Sequence, residues 1–166
     1  MNRKIMLPYY PYGLRVVSTR NYKETFLIRL LDEDCYVISD YWRKKYKVSY
    51  ESEDYKPILY PISHVCQTIR TNNKKVIPID LICEVIYKHL PFDKENCSIN
   101  DRLWIKEITV NYLNNLCACP FTKEIMNDIY ETLYTLHFDI SNLIQKGEAE
   151  DVTKLSFNPY EVATLE

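Results

Sequence analysis

The sequence predicts an α+β fold, with a small N-terminal antiparallel β unit followed by three to four packed helices. Three observations carry that expectation. Apolar and β-branched runs bounded by turn residues cluster before residue 60. Apolar positions at helical spacing dominate from Pro78 onward. Prolines at 78, 91 and 120 fall where helices start or stop.

The elements follow in order. Residues 1–18 read as an irregular arm, with LPYYPYG leading into a short strand at 14–17. Thr25–Leu31 (TFLIRLL) is a strand, LDED at 31–34 a turn, and Cys35–Ile38 the return strand of a hairpin. The stretch 39–55 is mixed and charged, and Ser39 or Asp40 can cap a short helical turn in it. KPILYP at 56–61 is held extended by its prolines and reads as a joint between a β-rich part (1–55) and a mainly helical part (56–155) of one compact domain. Ser63 can cap a short helix over 64–69, before a turn at 71–74 and a strand at 75–77. Helices are then predicted over 78–90, 99–116 and from a Thr122 cap, the last with Ile125, Ile129, Leu133 and Leu136 on one stripe. HFD at 137–139 forms a corner, and a final short helix over 140–146 ends at Gly147. The tail, 156–166, is expected over the surface.

Composition narrows the function. With only Gly13 and Gly147 among 166 residues, the dinucleotide fingerprint, the P-loop and the nucleophile elbow are all missing. A net charge of -2 gives no global attraction to nucleic acid or to an anionic membrane. Residues 1–60 hold 11 Lys/Arg against 8 Asp/Glu, and residues 61–166 hold 10 against 15, so the C-terminal part is the acidic one. The basic start lacks an apolar signal core, and no stretch reaches the ~18 apolar residues of a membrane span. A chain in the cytoplasm, of the producing cell or of an infected host, is expected. The six cysteines, Cys35, Cys66, Cys83, Cys97, Cys117 and Cys119, are then expected reduced.

No motif builds a catalytic site. Cys117-Ala118-Cys119 lacks the spacing of a zinc knuckle or redox pair. His64 and Cys66 would need a third orienting group. His137 and Asp139 read as helix-end residues, and Asp32, Glu33 and Asp34 as a solvated turn. No enzyme activity, cofactor or metal is expected. Two aromatic-rich segments instead point to binding. Tyr9 and Tyr10 lie between Pro8 and Pro11 with Tyr12 just after, while Tyr41, Trp42, Arg43, Lys44, Lys45 and Tyr46 interleave rings with cations. The second pattern suits an aromatic-anchored protein interface, or stacking and phosphate contact on single-stranded nucleic acid.

KPILYPIS at 56–63 and HFDISNLIQKGEAEDVTKL at 137–155 together resemble small proteins of Bacteroidetes bacteriophages and prophages, for which no activity is established. Leu136 stands where that pattern has tryptophan and Asn142 where it has glycine. Glu148 and Glu150 replace apolar residues, which argues against a buried strand over 148–152. The resemblance implies a phage origin. The expected function is a non-enzymatic interaction factor of the host-takeover or anti-defence type, binding a host or phage protein. A nucleic-acid-binding accessory protein and a phage structural component are the alternatives.

Overall fold

The computed structural model describes residues 6–20, 25–31, 34–39, 44–48, 54–90, 97–115 and 117–161, with the side chains of 29–31, 34–36, 39 and 45 outside that description. The fold is α+β, as expected. A six-stranded mixed sheet is built from β1 (Arg15–Ser18), β2 (Thr25–Leu31), β3 (Asp34–Ser39), β4 (Lys45–Val48), β5 (Tyr55–Leu59) and β8 (Glu150–Asp151), in the order β4-β3-β2-β1-β5-β8. Its pairs are antiparallel except the last, where Ile58 and Leu59 run parallel to Glu150 and Asp151. A second hairpin joins β6 (Ile69–Thr71) to β7 (Lys74–Val76). Asn72 and Asn73 form its two-residue turn at φ 48° and 61°, the left-handed region that asparagine tolerates. Three helices follow: α1 (Pro78–Lys88), α2 (Ile99–Leu113) and α3 (Lys123–Thr135). Helix α1 packs against both others.

Alternation along the strands divides two cores. Val17 of β1 and Ile58 of β5 belong to the cluster made with Ile79, Ile82, Ile86, Ile105, Ile129 and Leu133 of the helices. Their neighbours Val16 and Leu59 point the other way, as strand geometry requires. There they join Phe26, Ile28 and Val37 of the sheet with Met6, Tyr9, Tyr10 and Leu14 of the N-terminal arm and with Leu143 and Ala149. The sheet is therefore covered on one face by helices and on the other by the arm and the 143–149 loop.

Several expectations need correcting. The arm is a 3-10 segment, Leu7–Tyr12, closed by Gly13 at φ 75°. KPILYP is not a joint: its first four residues lie in β5, which pairs with β1 on one side and β8 on the other. Strand β4 arises within the mixed, charged stretch where only a short helical turn was expected, because Tyr46 and Val48 alternate with Lys45 and Lys47 and register with Val37 and Cys35. The helix expected over 64–69 is a 3-10 turn, Ile62–His64, with no side-chain cap. Residues 140–147 form turns rather than a helix. Two residues of 148–152 do pair as a strand, half-buried at the sheet edge. The tail is not a surface strap, since Tyr160 is buried. Asp40 falls outside the described residues.

Candidate functional site

The residues predicted to form binding surfaces divide into four groups. Tyr9 and Tyr10 are buried, which removes them as free anchors. The Tyr9 hydroxyl donates to the Phe138 carbonyl at 2.7 Å, and its ring meets Tyr134 edge-on at 4.9 Å. Burial raises the Tyr9 pKa, so the phenol stays a donor. Tyr12, half-buried, reaches Glu131 Oε1 at 3.3 Å. Lys44 and Tyr46 are exposed, and Tyr46 packs edge-on against Phe26 with ring centroids 6.4 Å apart. Lys45 lies in β4, its side chain outside the description, as are Tyr41, Trp42 and Arg43 entirely.

The histidine corner is built for packing. His137 takes φ 59°, ending α3 in the left-handed region, and is only 4% exposed. Its ring stacks on Tyr160 with centroids 4.1 Å apart. Neither ring nitrogen makes a hydrogen bond of good geometry among the described residues. Burial drives its pKa down to about 3, an effect that the nearby Tyr12 backbone only partly opposes. The imidazole is therefore neutral and faces the core, contrary to a helix-dipole role. Asp139 does cap the following turn, accepting from the N–H groups of Leu143 and Ile144 at 2.8 Å each.

Thiol chemistry finds little support in this geometry. Burial pushes the Cys83 thiol up to about 11, against the pull of Lys106, and a thiol that holds its proton is a poor nucleophile. Cys117 and Cys119 are exposed. Among the described residues no three His, Cys, Asp or Glu side chains converge as a metal site would require. Nor is any described helix long and apolar enough to cross a membrane.

The surface of α2 stands apart. Ile105, Thr109 and Leu113 form its buried stripe at four-residue spacing. Ile99, Leu103 and Trp104 lie off that stripe and are 78%, 61% and 62% exposed. Burying side chains of this kind is worth ~1.5–3 kcal/mol each, so leaving three on one helix forgoes substantial stability. A groove of about 250 Å³ lies on each side. Ile99 and Leu103 border one with Cys83 and Tyr87 of α1, while Trp104 borders the other with Ile86, Ile108, Phe121 and Ile125. The Lys106 ammonium bonds Asp80 at 2.9 Å across the first groove, holding α1 and α2 in register. Sequence reasoning singled out neither Leu103 nor Trp104 as a surface residue. The available signal was that both fall off the 105–109–113 register.

Comparison with protein-family models, curated proteins and solved structures finds no match to this chain.

Proposed function

We propose that the protein is a non-enzymatic interaction factor that binds another protein through the exposed apolar surface of α2. The supporting observation is the exposure of Ile99, Leu103 and Trp104 beside two apolar grooves. Tryptophan is the residue type most enriched among interface anchors, and a clustered apolar patch marks a partner surface more often than scattered residues do. This reading shifts the anchors from the buried Tyr9 and Tyr10 to α2. The likeness of 56–63 and 137–155 to phage and prophage proteins supports a bacterial host protein as the target.

The test is capture from nuclease-treated host lysate with the tagged full chain at low and high salt. One host protein held at both salts, and lost from a Leu103→Ala/Trp104→Ala variant that melts like wild type, is the expected result. Equal capture by that variant would refute the α2 reading.

A second reading rests on Lys44 and Tyr46, both exposed at β4, the end strand of the sheet. Cations beside a ring suit single-stranded nucleic acid. It predicts binding that falls steeply with salt and disappears in Lys44→Glu/Lys45→Glu.

A further inference from the structure

We propose that the cleft between α1 and α3 is a second docking surface, whose occupant is a cationic amphipathic helix of a partner protein. This goes beyond the α2 reading and requires neither Leu103 nor Trp104.

Shape is the first argument. The cleft is a trough of about 460 Å³ floored by Leu81, Val85 and Leu136, with Thr132 and Thr135 on the α3 wall. A groove between two helices receives the apolar stripe of a third, one side chain every three or four residues. Charge is the second argument and selects the occupant. Glu84 stands on the α1 wall, Asp128 and Glu131 stand on the α3 wall, and Lys88 is the one cation among the lining residues. Three carboxylates against one lysine thus leave the trough acidic around its apolar floor, chiefly along α3, where the lysines or arginines bordering the stripe of an amphipathic helix would lie. An acidic helix would set like charges against them, at a cost that selects partners.

Two further contacts fix the α3 wall. His89 Nε2 lies 2.7 Å from Asp128 Oδ2, and the Tyr12 hydroxyl reaches Glu131. The first orients one carboxylate from the end of α1. The second ties the N-terminal arm to the rim.

The experiment is fluorescence anisotropy with the full chain and three labelled peptides of roughly 18 residues. One is a leucine-lysine helix with an apolar stripe, one its scrambled form, and one a leucine-glutamate helix of the same pattern. The striped cationic helix is expected to bind, the scramble to bind more weakly, and the acidic helix not to bind. Glu84→Lys/Glu131→Lys should weaken binding by about tenfold or more. Thr135→Arg, which fills the trough from an exposed position, should do the same. Glu107→Lys/Glu148→Lys, an equal charge change away from the cleft, should leave the affinity unchanged. Equal binding of stripe and scramble, equal weakening by the remote pair, or indifference to both cleft variants would each overturn the proposal.

Discussion

Tyr160 does more than its position near the end of the chain implies. Its hydroxyl donates to the Ile58 carbonyl at 2.6 Å and accepts from the Arg15 N–H at 3.1 Å, bridging β5 and β1 from a third segment. Tyr160→Phe keeps the ring but leaves the buried Arg15 N–H without this acceptor. Equilibrium urea unfolding should show a loss of ~1–3 kcal/mol. Its stacking partner His137 gives the chain a pH dependence whose sign is fixed. The folded pKa, about 3, lies below the ordinary 6.5, so between those values the unfolded chain binds a proton that the native state does not. The stability due to neutral His137 is therefore present above pH 6.5 and is lost as pH falls toward 3, with a slope approaching ~1.4 kcal/mol per pH unit. His137→Asn, which tolerates the left-handed backbone, should flatten that slope in urea titrations across this range. Sequence alone marked His137 and Asp139 as a corner of helix-end residues. It missed the burial of His137, because only Tyr160, 23 residues away in sequence, supplies the stacking surface.

At the level of elements, helix ends were the most legible feature. At α2 the structure adds a reciprocal cap that the sequence reading left unnamed: Ser98 accepts from the Asp101 N–H at 3.1 Å while Asp101 accepts from the Ser98 N–H at 3.1 Å. Ser98→Ala should lower stability by ~1 kcal/mol in thermal or urea unfolding. Pro78 and Thr122 are the starts that were legible, opening α1 and α3 where the sequence places them. Strand β4 was not legible. A four-residue K-Y-K-V run is too short to signal a strand until β3 offers a partner edge. In α2 the same sequence pattern serves two ends. Its 105–109–113 stripe packs inward, while Leu103 and Trp104, equally apolar, have no element over them among the described residues and form the proposed interface.

On the scale of the whole molecule, the N-terminal arm is half of one core rather than an appendage. Met6, Tyr9, Tyr10 and Leu14 cover the sheet face opposite the helices. Tyr9→Ala should cost ~3–5 kcal/mol. Removing residues 1–12 should abolish cooperative melting followed by circular dichroism, whereas a free arm could be cut without effect. The tail closes the other side. The Asn72 and Asn73 N–H groups of the β6–β7 turn donate to the carbonyls of Tyr160 and Glu161 at 2.8 and 2.9 Å. Asn158 donates to the Tyr60 hydroxyl at 2.6 Å, and that hydroxyl donates to the Arg70 carbonyl at 3.1 Å. The sequence by itself determined the α+β class, the β2–β3 hairpin, the three helices and the missing glycine-rich phosphate and nucleophile motifs. Each depends on near neighbours: a cap, a proline, a glycine, a period of two or 3.6. Tertiary structure alone decided that β5 is an inner strand, that β8 extends the sheet in parallel, that the tyrosine arm is docked, and that α2 leaves a tryptophan in solvent. Those outcomes depend on which distant segment arrives to cover an apolar face, and nothing in a local window encodes that arrival.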